Sequence, residues 1–435
     1  MQVVGAFHNR TFKGRLLLLS ATALAIRLFY IFVIAPEPIG VGGDASFYHS
    51  AANLIAHGHF FYRRIFSHAY PTALHPPLYS ILLAPVALVG GVHLLPQRLV
   101  GLLLGSVNVG LIGVLGRRIS GGERVGLIAS AIAAVYPPFI TADGSIMSEP
   151  LYVFLLVVAL LLAMRLIGRP AVTRAAAIGV VIGLGVLTRT EAILWLPLLA
   201  WPAAWKGGWK PLVAATAAAV IVVSPWVIRN EIVFHKLELA ANTDTVIAAA
   251  NCHQTYYGND IGWWSLSCLA RARNHHQLLI GDANPSPGIH YAENHPARAV
   301  LVAGVRLLRT FSFWQPLRIG NDEPRRKWFD ALGLVLYYPL LVLAAIGLYR
   351  LPGRRWLLLA PVWTAAIIGA TGWGDSRFRI GADVAIVVLG AYAIAAFSER
   401  RGGGGDQTRS GEELPFQAPS GMPRTAAASG LARPA

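Results

Sequence analysis

Charge is what this sequence has least of. Only 13% of its 435 residues are Asp, Glu, Lys or Arg, against roughly 25% in a typical soluble domain. With 55% hydrophobic residues and a mean hydropathy of +0.53, an ordinary soluble globule is excluded. Cysteine is scarcer still. Cys252 and Cys268 are the whole supply, which rules out a disulfide-rich scaffold and any cysteine-based zinc motif. They lie close together in one segment, where a disulfide and two free thiols are both open. Acidic residues number 21 against 37 Lys and Arg, a net charge of +16. In a soluble chain that excess would suggest nucleic acid. Here many of the bases sit in short loops between apolar runs, where the positive-inside rule accounts for them. No nucleic-acid partner is expected.

What the chain has instead is apolar runs of about 20 residues from end to end, the pattern of membrane-crossing helices. Hydropathy predicts about ten spans, at 16–35, 95–116, 124–141, 149–167, 174–188, 191–205, 211–228, 331–349, 356–372 and 380–398. The clusters Arg10/Lys13/Arg15, Arg117/Arg118/Arg124, Arg165/Arg169/Arg174, Lys206/Lys210, Arg350/Arg354/Arg355 and Arg400/Arg401 then share one side, the cytoplasmic one. The expected organisation is a cytoplasmic N-terminus (1–15), an all-α transmembrane domain (16–398) and a disordered cytoplasmic tail rich in Gly, Ser, Pro and Ala (399–435). The first run is too long for a signal-peptide core and reads as an uncleaved span. The expected location is therefore the inner (plasma) membrane, multi-pass, with both termini inside. The outer face receives a loop at 36–94 and a helical or irregular segment at 229–330. Within them, 79–90 and 296–314 read as interfacial helices rather than spans. No internal repeat supports an inverted-repeat transporter.

Several residues on the outer side carry chemistry. Asp44, in Gly42-Gly43-Asp44-Ala45-Ser46-Phe47-Tyr48, follows the first span. It reads equally as a base taking a proton from a hydroxyl or amine and as a helix N-cap. Tyr48 would share its face if a helix starts there. Glu149, in Ser148-Glu149-Pro150, is a carboxylate at the mouth of an apolar helix, where ionisable groups are costly. Asp44 and Glu149 can share a divalent cation or divide acid–base work. Arg189 beside Glu191, Arg229 after Pro225-Trp226, and Arg377 and Arg379 stand at outer span ends against the positive-inside trend. They are ion-pair partners or phosphate ligands. The six histidines of 36–94 match no strong metal-ligand spacing, so ordinary interfacial or substrate-contact roles stand ahead of a zinc site. Trp263 and Trp264 suit interface anchoring or stacking on a sugar ring.

Five runs, in order, resemble the GT-C superfamily of polytopic glycosyltransferases, in the bacterial branch related to protein O-mannosyltransferases and lipid A aminoarabinose transferases. They are Gly43-Asp44 with Tyr48; His75-Pro76-Pro77-Leu78-Tyr79; Tyr136-Pro137 with Ser148-Glu149-Pro150-Leu151; Pro225-Trp226 with Arg229-Asn230; and Arg377-Phe378-Arg379. The chain has Ala45 where the family's acidic run often has a second carboxylate, and Ile380-Gly381 where a proline often follows the last arginine. The resemblance covers about 16–398. It implies a GT-C fold, a polyprenyl-phosphate sugar as donor, a membrane-lipid setting, a cell-envelope acceptor, and Asp44 as the catalytic group. Glu149 then serves as a second acidic group. Tyr48, His75, Arg189, Arg229, Arg377 and Arg379 become candidates for substrate contact. A transporter or flippase of a lipid-linked or small polar substrate is the rival reading.

Overall fold

Lipid offers no hydrogen bonds to a backbone, so the apolar runs become helices. The computed structural model describes residues 2–36, 43–65, 68–90, 93–270, 272, 282–318, 326–353 and 355–402. Helix α1 (Gln2–Phe29) continues through a π-helical turn at Tyr30–Ile34. It is followed by α2 (Asp44–Ala56), α3 (Leu78–Gly90), α4 (Leu94–Ser120), α5 (Glu123–Val135), α6 (Pro137–Gly144), α7 (Glu149–Gly168) and α8 (Val172–Val186). Long helices then occupy Trp209–Phe234, Lys327–Arg350, Trp356–Thr371 and Ile380–Gly402. Residues 1–395 form one compact unit and 396–435 another; the functional residues all belong to the first. The disordered tail expected at 399–435 lies, from 403 onward, outside the described residues.

The protein is an all-α membrane protein, and its span count needs adjustment. Among the described residues, six helices are long and apolar enough to cross a bilayer: Thr11–Ile34, Leu94–Ser120, Glu149–Gly168, Trp209–Phe234, Lys327–Arg350 and Ser376–Ser398. The pair α5–α6, bent by 56°, makes a seventh if taken as one span. Pro137 and Pro138 cause that bend: they bring no N–H, and Tyr136 before them is extended (ψ 113°). The runs expected to span at 174–188 and 356–372 form the shorter apolar helices Val172–Val186 and Trp356–Thr371. The run at 191–205 is not one helix. Pro197 and Pro202 break it into 3-10, π and α turns between Thr190 and Gly207. Length and composition thus qualify six or seven of the ten. Helix α3, with 13 residues, is about 20 Å long and too short for a hydrocarbon layer of roughly 30 Å.

Close helix approach rests on small residues, as expected where lipid supplies no hydrophobic drive between helices. A Cβ on Gly126 of α5 would come within 2.5 Å of the Gly113 carbonyl of α4. Buried ion pairs lock the bundle further. Arg27 of α1, 1% exposed, donates from Nε to Asp143 Oδ2 of α6 at 2.7 Å and from Nη1 to the carbonyls of Ala23 and Ala134.

Outside the bundle the sequence reading missed one element. Strands β1 (Tyr62–Ile65) and β2 (His68–Pro71) pair antiparallel, with Tyr62 opposite Pro71 and Arg64 opposite Ala69. The segment 229–330, expected on the outer face, carries the short helices Asn242–Ala250, His253–Tyr256, Leu266–Leu269 and Ser286–Asn294, then Pro296–Thr310. Cys252 and Cys268 are joined in a disulfide, which closes that alternative. On Pro296–Thr310, Val300 and Leu301 are exposed while Arg306 and Arg309 are buried. Those arginines donate to the carbonyls of Ala250 and Ile261 at 2.5 and 2.6 Å, stapling the outer segment together.

Candidate active site

Helix starts supply the carboxylates. At α2 the cap position is Gly43, whose backbone is extended (φ −90°, ψ −179°), and Asp44 is the first helical residue. The cap is thus Gly43 and not Asp44, so the N-cap alternative is not the arrangement found. Asp44 Oδ1 lies 3.3 Å from His75 Nε2, and Oδ2 accepts from Arg377 Nη2 at 2.9 Å. Glu149 is the first residue of α7 and is buried. Both carboxylates therefore sit at helix N-termini, where the peptide dipoles favour negative charge.

Two arginines tie the carboxylates together. Arg377 lies in the 3-10 turn Ser376–Arg379, which the Asp375 side chain caps by accepting from the Arg377 amide at 3.0 Å. From there it donates from Nε to Glu149 Oε1 at 3.0 Å as well as to Asp44. Arg189, just beyond α8, donates to Glu149 Oε1 at 2.9 Å and to Glu191 Oε1 at 2.5 Å. The result is a continuous chain, His75–Asp44–Arg377–Glu149–Arg189–Glu191. Aromatic rings wall it. Tyr48 packs on His75 and Tyr79 with centroids 5.2 and 5.0 Å apart, and Arg189 lies over Tyr152 and Phe378.

Electrostatics follow from this geometry. Burial works against the Asp44 charge, but His75 and Arg377 outweigh it and hold its pKa well below the usual carboxylate range. Burial and the neighbouring Asp44 charge push the Tyr48 phenol up, so it stays protonated and can donate. Burial also disfavours the Arg189 charge, yet Glu191 and Glu149 more than restore it and raise its pKa.

Asp44, Tyr48, His75, Glu149, Arg189 and Arg377 are thus brought together. Arg229 and Arg379 are not. Arg229 donates to the carbonyls of Thr72 and Phe61 at 3.0 and 3.1 Å and stacks on Phe61, Trp226 and Phe234. It anchors the loop around the β-hairpin. Arg379 is buried, pairs with Asp383 at 3.0 Å, donates to Ser312 Oγ at 2.7 Å and lies 3.8 Å over Tyr337. Glu191, beside Arg189 in sequence, joins the cluster and extends it.

A cation shared by Asp44 and Glu149 does not fit this arrangement, because the Arg377 guanidinium already bridges the two. Among the described residues, the trio close enough to share an ion is Glu238, Asp244 and Asp282. Lys236 Nζ reaches into it, 2.6 Å from Asp282 and 3.4 Å from Asp244.

Residues 74–228 match the family model described as dolichyl-phosphate-mannose-protein mannosyltransferase. The matched stretch includes His75, Glu149 and Arg189, while Asp44 and Arg377 lie outside it. No curated protein sequence gives a match. Among solved structures, the oligosaccharyltransferase of Archaeoglobus fulgidus, tethered to an acceptor peptide, is similar at 12% identity and a TM-score of 0.46. That likeness covers 89% of this chain and 50% of the other. ArnT from Cupriavidus metallidurans in the apo state is similar at 15% identity and a TM-score of 0.42, covering 86% and 75%. The chain spans half the length of the archaeal protein.

Proposed function

We propose that the protein is a membrane glycosyltransferase. It takes one sugar from a polyprenyl-phosphate donor and passes it to a cell-envelope acceptor, a glycolipid, polysaccharide or protein, on the outer face of the inner membrane. The observation that carries this reading is the chain of Asp44, Arg377, Glu149 and Arg189 at the starts of two helices. Asp44 removes the proton from the acceptor hydroxyl or amine. The freed electron pair forms the new bond to the anomeric carbon. The bond from that carbon to the phosphate oxygen breaks, and its pair leaves on the polyprenyl phosphate. Arg377 and Arg189 meet that developing charge, the point at which a fixed cation lowers the barrier most.

The same two arginines are committed to carboxylates in the structure described here. A donor phosphate must therefore compete with Glu149 and Asp44 for them, and its arrival loosens the Arg377–Asp44 contact. A paired Asp44 is a weak base; an Asp44 relieved of Arg377 is a stronger one. Donor binding thus prepares the base, which favours an order with donor first and acceptor second. The basic loops support an orientation with both termini in the cytoplasm.

The test uses purified protein with polyprenyl-phosphate sugars and envelope acceptors. Product should form with the native chain. Asp44→Asn should lower turnover by roughly 10³-fold, within the range of general-base removal, while the thermal midpoint stays near native. Full turnover in that variant would sink the assignment. Uptake of polar substrates into liposomes without group transfer would replace it with the transporter reading.

A further inference from the structure

Glu149 has a second side. It lines a small internal cavity with Arg27, Gly105, Asn108, Asp143 and Pro150, between α1, α4, α6 and α7. The cavity has room for about one water molecule. Two buried polar atoms of its lining have no hydrogen-bond partner among the described residues: Glu149 Oε2 and Asn108 Oδ1. Both are acceptors. Glu149 Oε1 is already occupied by Arg189 and Arg377. The Asn108 amide is fixed in orientation because its Nδ2 donates to the Pro150 carbonyl at 2.8 Å, which leaves Oδ1 as the oxygen in need of a donor. Arg27, the cationic residue of the lining, is committed to Asp143, Ala23 and Ala134.

Two orphan acceptors around a one-water space call for a small molecule with two donors, and buried polar groups rarely go unpaired. We propose that a structural water occupies this cavity and donates one O–H to Glu149 Oε2 and the other to Asn108 Oδ1. Asn108 is then a positioning residue for Glu149, an inference that rests on reading Glu149 as part of the active site. The terminal torsion of a glutamate is broad, so partners on one oxygen alone leave the carboxylate free to rock. The water and Asn108 hold the far oxygen and keep Oε1 turned toward Arg189 and Arg377. The same contact joins α4 to the start of α7, where the Asn108–Pro150 bond already lies.

The direct test is a high-resolution crystal structure of the full chain, grown once from sodium-containing and once from sodium-free buffer. A solvent peak within hydrogen-bond distance of both atoms is expected in both. An empty cavity overturns the proposal, and a peak present only with sodium replaces the water by a cation. This arm does not depend on transferase activity, so its failure is distinct from failure of the glycosyltransferase reading. The kinetic arm compares Asn108→Leu, which fills the space and removes the acceptor, with Asn108→Ser, which keeps a hydroxyl and admits a second water. The leucine variant should lose roughly ten- to hundredfold in kcat, the scale of a misplaced group, with donor KM little changed. The serine variant should recover most of that loss. An unaffected leucine variant, or equal losses in both that follow their thermal midpoints, reduces Asn108 to a packing role.

Discussion

The bundle uses arginine–carboxylate pairing in two ways. In the pairs Arg27–Asp143 and Arg379–Asp383, one guanidinium meets one carboxylate, and backbone or hydroxyl oxygens accept from Nη1. Both pairs are almost fully buried. In the outer cluster the contacts branch: Arg377 serves two carboxylates, Glu149 serves two arginines, and the Asp44 side chain is 34% exposed. A closed pair loses everything when a partner leaves. A branched one can exchange a carboxylate for a phosphate and stay neutralised. The same two residue types therefore form closed clasps in one region and a branched network in the other.

Cutting a clasp should show the largest effect on stability. Arg27→Met leaves Asp143 buried and alone, which should cost about 3–5 kcal/mol, read as a lowered thermal midpoint in detergent. Adding Asp143→Leu should restore much of it. If the single variant is as stable as the native chain, the distinction between the two regions fails. Arg377→Gln should leave the midpoint near native and cut transfer roughly ten- to hundredfold, because on the proposed function it removes a cation that holds the donor phosphate and meets its developing charge rather than a clasp.

The pH profile sharpens this further. Asp44 has a folded pKa well below its ordinary 3.8. A depressed carboxylate contributes stability above its unfolded pKa and loses it only as pH falls through the folded value. Asp44 should therefore impose no acid limb on native activity down to about pH 4. In Arg377→Gln the limb should move up toward the ordinary carboxylate range. An unshifted limb would separate Asp44 from Arg377 functionally.

Smaller effects follow at the margins. Arg229→Met removes two hydrogen bonds to the hairpin loop and should cost roughly 1–3 kcal/mol with kcat unchanged. Chelation of divalent cations should leave turnover within about twofold, since Arg377 fills the bridging position between Asp44 and Glu149; a metal-free enzyme that needs ions restored would contradict that placement.

How much of this the sequence disclosed depended on the range of the interactions involved. Helices came from apolar runs, a local property, and were legible. The run at 191–205 was not, because average hydropathy is blind to where Pro197 and Pro202 interrupt the ladder. Asp44, Glu149, Arg189 and Arg377 were legible as charges at span ends, where each is expensive without a partner. Arg229 and Arg379 looked the same in sequence. What separates them is three-dimensional: Phe61 lies 168 residues from Arg229, and Ser312 lies 67 from Arg379. The β-hairpin escaped notice because four-residue strands with two adjacent arginines show no alternation. Asn108 was one polar side chain in a long apolar run, and nothing nearby marked its neighbour as Glu149.

The contact between Asp44 and Arg377 joins residues 333 positions apart. At about 5–20 residues per second of synthesis, the ribosome needs roughly 15–70 seconds to travel from one to the other. During that time the first half of the chain is already entering the bilayer with Asp44 in place and its Arg377 partner unmade. The contact between the two therefore cannot form early, and it closes as a single late event when the segment carrying Arg377 is delivered.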